Sequence, residues 1–498
     1  MRFERGGPGA GSGLLRKWVM AREFKAVDRD TPMLLPPDLR EWLPEDHLAY
    51  LVLSLVEQFD LSAVVKAYPR GGTGREAFDP AMLTGLLIYA YSQGVRSSRQ
   101  IERGCVTDVA MRMLTAQQRP DHTTIARFRK RHAAALADLL GQVLQVCHRA
   151  GMGRVGVVAV DGSKIAGQAS PRKNYSEEKL RKMAEAMVDE AAAADEAEDA
   201  EHGRDQSGDE LPEPLRPGTD RAARIRQALR MVKEEKEAAR AEDVAVAERK
   251  AERARRAAGR ERRAAEKQRQ DRTARVDRGP VDDYAKVRRA DAHVAAKEAE
   301  VAQARAGQGL RAQKCKPTAN VSDPESHVMF VRGKGFLQGF NAQLVVTDDH
   351  LILATDVCTD TNDSRQYIDM VNLAVANAAA HLDGATIGTV LADAGYCTQE
   401  ALTAPGPNRL IATGRRPHIP SQTGKLPEIA AMAERLAPDT ADRATYQRRQ
   451  ATVEPVIGIV KDRIGLRRFM RRGLTAARNE LAFAAAVHNI RRLAATTS

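Results

Sequence analysis

The chain has 498 residues, with 78 Lys and Arg against 66 Asp and Glu, and therefore a formal net charge of +12. This length exceeds what one hydrophobic core supports, so it predicts two or more domains. The chain has no apolar run near the roughly 20 residues of a membrane helix, and its start lacks the apolar region of a signal peptide. The five cysteines are scattered without CxxC spacing, which argues against a disulfide framework or a cysteine zinc site. The composition predicts a reduced cytoplasmic protein, not a membrane protein, that binds a polyanion.

The N-terminal third of the chain has a helical pattern. Residues 1–19 are rich in Gly and Arg without periodicity, and we expect a disordered leader there, with Met20 as the natural start. From Leu43, apolar residues recur at three- and four-residue spacing, first after LPEDH and then after Asp79-Pro80. Short helices are expected at Ser98–Arg103 and Val106–Leu114. The pattern predicts a compact helical domain at 20–150, and the basic helix described next is the reason to expect that this domain binds DNA.

One helix of this domain has the composition of a DNA-recognition helix. We expect it to begin at Thr123 and Thr124, whose hydroxyls can cap a helix. Basic side chains then repeat at helical spacing, as they do where a helix contacts DNA. An ordinary amphipathic helix, with Ile125 and Phe128 facing inward, is the alternative, and both can hold. The basic residues are Arg127, Lys130 and Arg131.

A change of period at Val155 marks a second domain. The run VGVVAVDGSKI is apolar and β-branched, and it predicts a buried strand that ends at Asp161-Gly162. Three further strands are predicted at Asn341–Asp348, Leu351–Thr359 and Thr386–Asp393. We expect residues 151–175 and 311–498 to form one α/β domain that the intervening segment interrupts.

The interrupting segment, residues 176–310, has a different composition. It is dominated by Ala, Glu, Arg and Lys, and Tyr284 is its only aromatic residue. These residues favour helix, while the shortage of large apolar side chains denies the segment a core of its own. The composition predicts long helices, as in an antiparallel coiled-coil arm. A partly disordered charged linker remains the alternative.

Three acids are the candidates for chemistry. Asp161 and Asp393 each follow a predicted strand, where a rigid element can hold a carboxylate facing a ligand crevice. Taken singly, each is also ordinary turn chemistry. Glu454 lies in a basic segment, with Lys461 two helical turns further on the same face. Converging buried acids need a cation, and oxygen-only ligands select Mg²⁺ or Mn²⁺.

A cluster of basic residues accompanies the three acids in the sequence. From Lys461 to Arg472 the chain has six basic residues and one acid. A solvated helix face is the alternative, but positive charge beside acids is what a phosphate backbone requires. Together, the two features predict metal-dependent phosphodiester chemistry on nucleic acid. The residues expected to contact DNA here are Arg467, Arg468, Arg471 and Arg472.

The sequence resembles bacterial insertion-sequence transposases of the DDE type, which have a ribonuclease-H-like catalytic core. The segments that carry this resemblance are LPEDH, PDHTTIARFRKRH, VDGSKI, NVSDPES, GFLQGFNAQLVV, LADAGY and RRFMRRG. The Tyr, Arg, Glu, Lys signature of the group matches Tyr446, Arg449, Glu454 and Lys461. Four residues separate Arg449 from Glu454 where three are common. The large insertion lies between the two Asp residues, whereas in some relatives it precedes the Glu.

The resemblance implies the fold: an α/β, ribonuclease-H-like mixed-sheet core interrupted by a long helical insertion, with an all-α N-terminal domain. It implies that Asp161, Asp393 and Glu454 are catalytic and hold two divalent ions, Mg²⁺ or Mn²⁺. Tyr446, Arg449 and Lys461 would position phosphates of the transposon end, although packing is an equal role for Tyr446.

The implied function is a DNA transposase that binds inverted-repeat ends and catalyses hydrolysis and strand transfer. Its partner would be double-stranded DNA, bound as a homodimer in the bacterial cytoplasm at the nucleoid. A metal-dependent DNA nuclease on the same fold remains open, as does a catalytically degenerate DNA-binding coiled-coil protein. Asp323 and Glu325 of NVSDPES invite a catalytic interpretation, but a turn near the site is the favoured one.

Overall fold

A computed structural model describes residues 38–68, 77–187, 219–270, 280–333, 335–414 and 427–497. The predicted leader at 1–19 and the expected start at Met20 lie outside these ranges. The described helices are α1 Leu48–Gln58, α2 Ser62–Lys66, α3 Pro80–Ser92, α4 Ser98–Thr107, α5 Val109–Leu114, α6 His122–Arg131, α7 Ala133–Arg149, α8 177–187, α9 Thr219–Gln270, α10 Ala285–Arg305, α11 Leu310–Lys314, α12 Tyr367–His381, α13 Gln399–Thr403, α14 Pro427–Arg435, α15 Ala441–Asp462 and α16 Leu474–Thr497. The strands are β1 Val157–Ala166, β2 Asn174–Ser176, β3 Thr318–Asn320, β4 His327–Val331, β5 Gly335–Thr347, β6 Ile352–Cys358, β7 Thr389–Ala392 and β8 Asn408–Ile411.

The N-terminal helices share one core with the end of the chain. Within α3, residues 83–92 are all buried, because α1 and α5 pack against it together with the C-terminal helix α16. The helix α4 continues to Thr107, past the predicted end at Arg103, and Asp108 then caps α5 by accepting from the Met111 amide. The C-terminal helix therefore completes the N-terminal core.

The basic helix begins one residue earlier than the expected start at Thr123. Helix α6 begins at His122, and its N-cap is Asp121 instead of a threonine. The Asp121 Oδ1 atom accepts from the amides of Thr123 and Thr124, both at 2.8 Å. A carboxylate at this position accepts hydrogen bonds from two free amides. Its negative charge also interacts favourably with the positive end of the helix dipole, which a neutral hydroxyl does less well.

Six of the strands after α7 form one mixed sheet. Its order is β4-β5-β1-β7-β8, and β6 also pairs with β5. Strand β1 runs antiparallel to β5 and parallel to β7, and β7 is parallel to β8. Helices α12, α15 and α16 pack against the sheet. The mixed sheet and the long helical insertion confirm the predicted fold class and are consistent with a ribonuclease-H-like core.

The prediction that the first strand ends at Asp161-Gly162 was wrong. Strand β1 continues to Ala166, because its ladder with β5 extends from Val158↔Thr347 to Ala166↔Gly339. Long antiparallel pairing overrides the local turn tendency of Asp-Gly. Asp161 therefore lies within a strand and not in a turn.

The helical insertion begins and ends at the same place in the structure. Strands β2 and β3 pair with Asn174 opposite Asn320, which brings the two ends of the insertion together. Helices α9 and α10 run antiparallel, as their ion pairs Arg255–Glu298 and Arg262–Asp291 show. None of the helices within the described ranges is both long and apolar enough to span a membrane.

Candidate active site

The parallel pairing of β1 and β7 brings two predicted acids side by side. The last paired residues are Val160 and Ala392, and the next residue on each strand is Asp161 and Asp393. Asp393 ends its strand and caps a short 3-10 turn, with Oδ1 accepting from the Gly395 amide at 2.8 Å. The carboxyl end of a parallel strand pair is a common ligand position in α/β proteins.

Asp161 lies in a buried and electrostatically unfavourable position. Its side chain is only 17% exposed. Burial raises the pKa of the Asp161 carboxyl to about 6; the Arg449 guanidinium opposes this shift and the Asp393 carboxylate adds to it. The Arg449 Nη1 atom lies 3.2 Å from Asp161 Oδ2. Two acids and one arginine are therefore coupled at this point.

Helix α15 supplies the third acid and the basic signature residues. Arg449 Nη2 lies 3.6 Å from Glu454 Oε1, so one guanidinium links Asp161 to Glu454. Glu454 is half-exposed and also accepts from the Gln450 amide nitrogen at 3.1 Å. Lys461 Nζ donates to the Ser163 hydroxyl on β1. Helix α15 thus lies along the strand that carries Asp161.

Tyr446 packs against the hydrophobic core next to Arg449. Its ring is half-buried against the hydrophobic core, and burial raises the pKa of its hydroxyl. It remains beside Arg449, which is the residue that joins the acids.

A fourth acid, Asp363, belongs to the same place and was missed by the sequence reasoning. Its carboxylate accepts from Asn341 Nδ2 and Gln343 Nε2, each at 2.7 Å, and lies 3.4 Å from Lys164 Nζ. A Cβ atom built on Gly395 would lie 3.0 Å from Asp393 Oδ1 and 3.7 Å from Asp363 Oδ2. Asp393 and Asp363 therefore approach the same glycine.

A hydrogen-bonded chain connects Asp363 to the turn after Asp393. Gln343 accepts from the hydroxyl of Tyr396, which is fully buried. Burial raises the pKa of the Tyr396 hydroxyl well above its usual value, so this group stays protonated at neutral pH and donates the hydrogen bond to Gln343. The acidic loop TDTNDS, directly after β6, was the available sequence signal for Asp363.

The chemistry of this site fits a divalent cation, although the acids do not form a closed ligand set. All the candidate ligands are carboxylate oxygens, which suit Mg²⁺ or Mn²⁺. Burial and the Asp393 carboxylate raise the pKa of Asp161. A bound cation would favour the ionised carboxylate and so oppose this shift. Across the described ranges, no group of three or more His, Cys, Asp or Glu side chains is positioned to hold a metal ion. Arg449 is instead the cation that contacts both Asp161 and Glu454.

The basic segment after α15 lies beside the end of the acid-bearing strand β1. The Ala166 amide donates to Arg467 O at 3.2 Å, and the Phe469 amide donates to Ala166 O at 2.8 Å. Arg468 and Arg472 are exposed, and Arg467 is exposed with an ion pair to Asp462. Arg471 is different, because it is half-buried and burial lowers the pKa of its guanidinium.

A buried ion pair holds this segment against the N-terminal helices. Arg96 donates to Gly465 O at 2.5 Å and to Arg468 O at 2.9 Å. It also pairs with Glu480, and both side chains are under 10% exposed. Glu480 in turn accepts from the Met470 amide at 2.9 Å. The backbone of the basic segment is therefore fixed from two sides.

The predicted recognition helix is α6, and its contacts are with residues other than Asp161, Asp393 and Glu454. Arg127 and Lys130 are exposed on α6. Arg131 donates to Ala67 O and lies over the Tyr68 ring, 5.2 Å from its centroid. Arg127 and Lys130 thus present their charge to solvent, whereas Arg131 also has a structural contact.

Asp323 and Glu325 form a turn that receives the start of α16. The Gly473 amide donates to Asp323 Oδ1 at 3.2 Å, and the Leu474 amide donates to Glu325 Oε2 at 2.9 Å. Burial raises the pKa of the Asp323 carboxyl to about 6. The contacts of both residues are those of a structural turn.

Two protein families match parts of the chain. Residues 37–131 match the family described as Transposase domain (DUF772), and residues 412–494 match the one described as Transposase DDE domain. No curated protein and no solved structure matches. The second match includes Glu454 and the basic segment, whereas Asp161 and Asp393 lie outside both matches.

Proposed function

Since the chain carries the two domains of an insertion-sequence DDE transposase, we propose that it binds the inverted-repeat ends of its element and both cuts and joins DNA there. The observation that carries this proposal is the position of Asp161 and Asp393. They follow the last pair of neighbouring parallel strands, and Arg449 ties Asp161 to Glu454. This arrangement concentrates three acids and a cation beside a basic segment.

In this proposal, Asp161, Asp393 and Glu454 hold two divalent ions, Mg²⁺ or Mn²⁺. When bound, the ions supply activation of water or of a DNA 3′-hydroxyl and stabilisation of the leaving oxygen. Arg449 and Lys461 place positive charge along β1, where the scissile phosphate needs it. The half-buried Tyr446 packs against the core and orients Arg449 by its proximity.

Asp363 has a positioning role in the same proposal. It fixes Asn341 and Gln343 by hydrogen bonds, and Gln343 accepts from Tyr396 in the turn that follows Asp393. A support of this kind keeps a ligand carboxylate within the narrow geometry that catalysis needs. Its loss is therefore expected to weaken the site without removing a proposed ligand.

DNA contacts would come from two surfaces. Arg127 and Lys130 on α6 are exposed at helical spacing, which suits a groove or its flanking phosphates. Arg467, Arg468 and Arg472 lie beside the end of β1 and suit phosphates near the cut. We propose a homodimer on DNA, at the bacterial nucleoid, because two equal repeat ends match a two-fold assembly.

A metal-dependent nuclease on the same fold is the second candidate, and strand transfer distinguishes it from a transposase. The test uses the full chain, a pre-cut end fragment with a free 3′-hydroxyl, supercoiled plasmid and Mg²⁺. A transposase joins the fragment to the plasmid, and EDTA prevents joining. Plasmid nicking without joining would identify a nuclease. Tight DNA binding without any metal-dependent reaction would identify a degenerate DNA-binding protein.

A further inference from the structure

The distal half of α9 carries a continuous row of basic side chains. Six Arg and Lys residues recur at intervals of three and four, so they fall on one face of the helix. All six are exposed. At about 1.5 Å per residue, the row is roughly 27 Å long. This basic stripe consists of Arg249, Arg253, Arg256, Arg260, Arg263 and Lys267.

The basic stripe lies opposite the face that packs on α10. The buried residues of this half of α9 are all alanines, and helical geometry places them about half a turn from the stripe. They are Ala247, Ala251, Ala254, Ala258 and Ala265. The stripe therefore points away from the partner helix, and packing of the arm does not explain it.

Acids of α10 neutralise the flanks of α9 but leave the stripe charged. Arg255 pairs with Glu298, and Arg262 pairs with Asp291. On the stripe itself, Arg256 pairs with Glu252 of its own helix. The other five stripe residues make no ion pair with any described residue; Arg249 donates only to a backbone carbonyl of its own helix. Five of the six charges in the row therefore have no ion-pair partner among the described residues, and Arg256 is the exception.

The basic stripe lies in the distal half of α9, away from the start of the helix. The helix is anchored at its start, where Ile225, Ala228 and Val232 pack with Leu180, Ala319 and Val321. Arg249 is 17 residues beyond Val232, which is about 26 Å along the helix axis. Contacts of α9 with parts of the chain other than α10 and the turn before it continue to Glu242, which lies near Arg365, and to Asp243, which accepts from the Arg311 and Ala312 amides. The stripe begins six residues beyond Asp243, about 9 Å along the helix axis.

We propose that the basic stripe binds the phosphate backbone of duplex DNA. Duplex DNA carries a negative charge about every 1.7 Å of its axis, so a row of roughly 27 Å can contact several phosphates of one stretch. All positions of the row are basic and none carries an apolar side chain, which fits charge recognition better than docking of a protein partner. This inference rests on the proposed function, because it names the partner of the arm as transposon or target DNA.

The test measures the affinity of the full-length protein for a long duplex that contains a terminal repeat, as a function of salt concentration. One variant carries Arg249→Gln, Arg253→Gln, Arg260→Gln and Arg263→Gln, which keeps helix propensity while removing charge. Affinity at moderate salt should fall at least about tenfold, and the slope of log affinity against log salt should flatten by up to roughly 0.9 for each phosphate that is no longer neutralised. A matched Arg→Lys variant at the same four positions should keep most of the affinity and of the slope, since it keeps the charge.

A second control removes equal charge from the anchored end of α9, through Gln at four exposed positions off the stripe. These positions are Arg221, Arg226, Arg230 and Lys233. The proposal predicts a smaller loss of affinity for this control than for the stripe variant. Equal losses, or an unchanged salt slope in the stripe variant, would overturn it. So would a loss confined to single-stranded RNA with duplex binding intact.

Strand transfer by the same proteins separates this proposal from the proposed function. If the wild-type chain joins no DNA yet the stripe variant still loses duplex affinity, the proposed function fails and the stripe assignment stands. If joining is normal and the stripe variant binds as the wild type does, only the stripe assignment fails.

Discussion

Replacement of Asp161 by Asn should stabilise the metal-free protein. The side chain is 17% exposed, and its pKa is raised from 3.8 to about 6 by burial and by Asp393, against the attraction of Arg449. A shift of one unit corresponds to about 1.4 kcal/mol, so the ionised carboxyl lowers the free energy of unfolding by roughly 3 kcal/mol at neutral pH. The net shift already includes the ion pair with Arg449, so loss of that pair does not reverse the sign.

The raised pKa of Asp161 also determines how the stabilisation by Asp161→Asn depends on pH. Because the folded pKa lies above the unfolded one, the wild type has its full stability below about pH 4 and loses part of it as the pH rises through 6. Asn does not titrate, so the advantage of Asp161→Asn should be absent below about pH 4 and complete above about pH 6.5. Mg²⁺ should raise the melting temperature of the wild type and leave that of the variant unchanged.

Thermal melting in EDTA between about pH 4 and 8 measures this difference. For a domain of this size, roughly 3 kcal/mol corresponds to a rise of several degrees in melting temperature. The matched control is Asp383→Asn, whose carboxylate is 91% exposed and pairs with His148 at 3.4 Å, and it should change the melting temperature little near pH 7.5. An Asp161→Asn protein that melts below the wild type near pH 7.5 in EDTA would refute the reasoning.

Three further predictions concern the surroundings of the site. Replacing Arg467, Arg468 and Arg472 by Ala should weaken binding to any duplex and flatten the salt slope by roughly 0.9 for each phosphate that these side chains neutralise; an unchanged slope in fluorescence anisotropy would mean that these side chains are only solvated. Replacing Arg96 by Met should cost about 3–5 kcal/mol in denaturant unfolding, because it leaves the buried Glu480 without its cation, and the double variant with Glu480→Leu should recover much of this. Replacing residues 176–310 by a short Gly/Ser linker should preserve metal-dependent nicking, because β2 and β3 hold the ends together; a deletion protein with an unfolded core in circular dichroism would contradict this.

The sequence predicted the strands before Asp161 and Asp393, but not the full length of the first one. Apolar β-branched runs before Asp161 and Asp393 indicated strands, and those strands exist. The extent of β1 was wrong, because its length depends on pairing with β5 far along the chain, and Asp-Gly offers only a local turn signal. The start of α6 was wrong for a local reason, because the Asp121 carboxylate accepts from the Thr123 and Thr124 amides and caps the helix one residue earlier.

The acidic loop that contains Asp363 is visible in the sequence, but the partners of its carboxylate are not. It lies in a polar loop, and its partners Asn341, Gln343 and Lys164 come from two other strands. Only the antiparallel register, with Gly162 opposite Gln343 and Lys164 opposite Asn341, places these groups on one face. The absence of a side chain at Gly162 leaves the room that Asp363 occupies, because a Cβ there would lie 2.3 Å from Asp363 Oδ1.

The most direct measurement is cleavage of a duplex bearing the element's end by full-length Asp393→Asn protein in Mg²⁺, with DNA affinity measured in parallel. Asn keeps the shape of the side chain and removes the charge that would hold a divalent ion. We expect DNA affinity within a few-fold of the wild type and cleavage reduced to background, as in Asp161→Asn and Glu454→Gln. Cleavage at the wild-type rate by Asp393→Asn would contradict the assignment of the acids as the metal-binding centre.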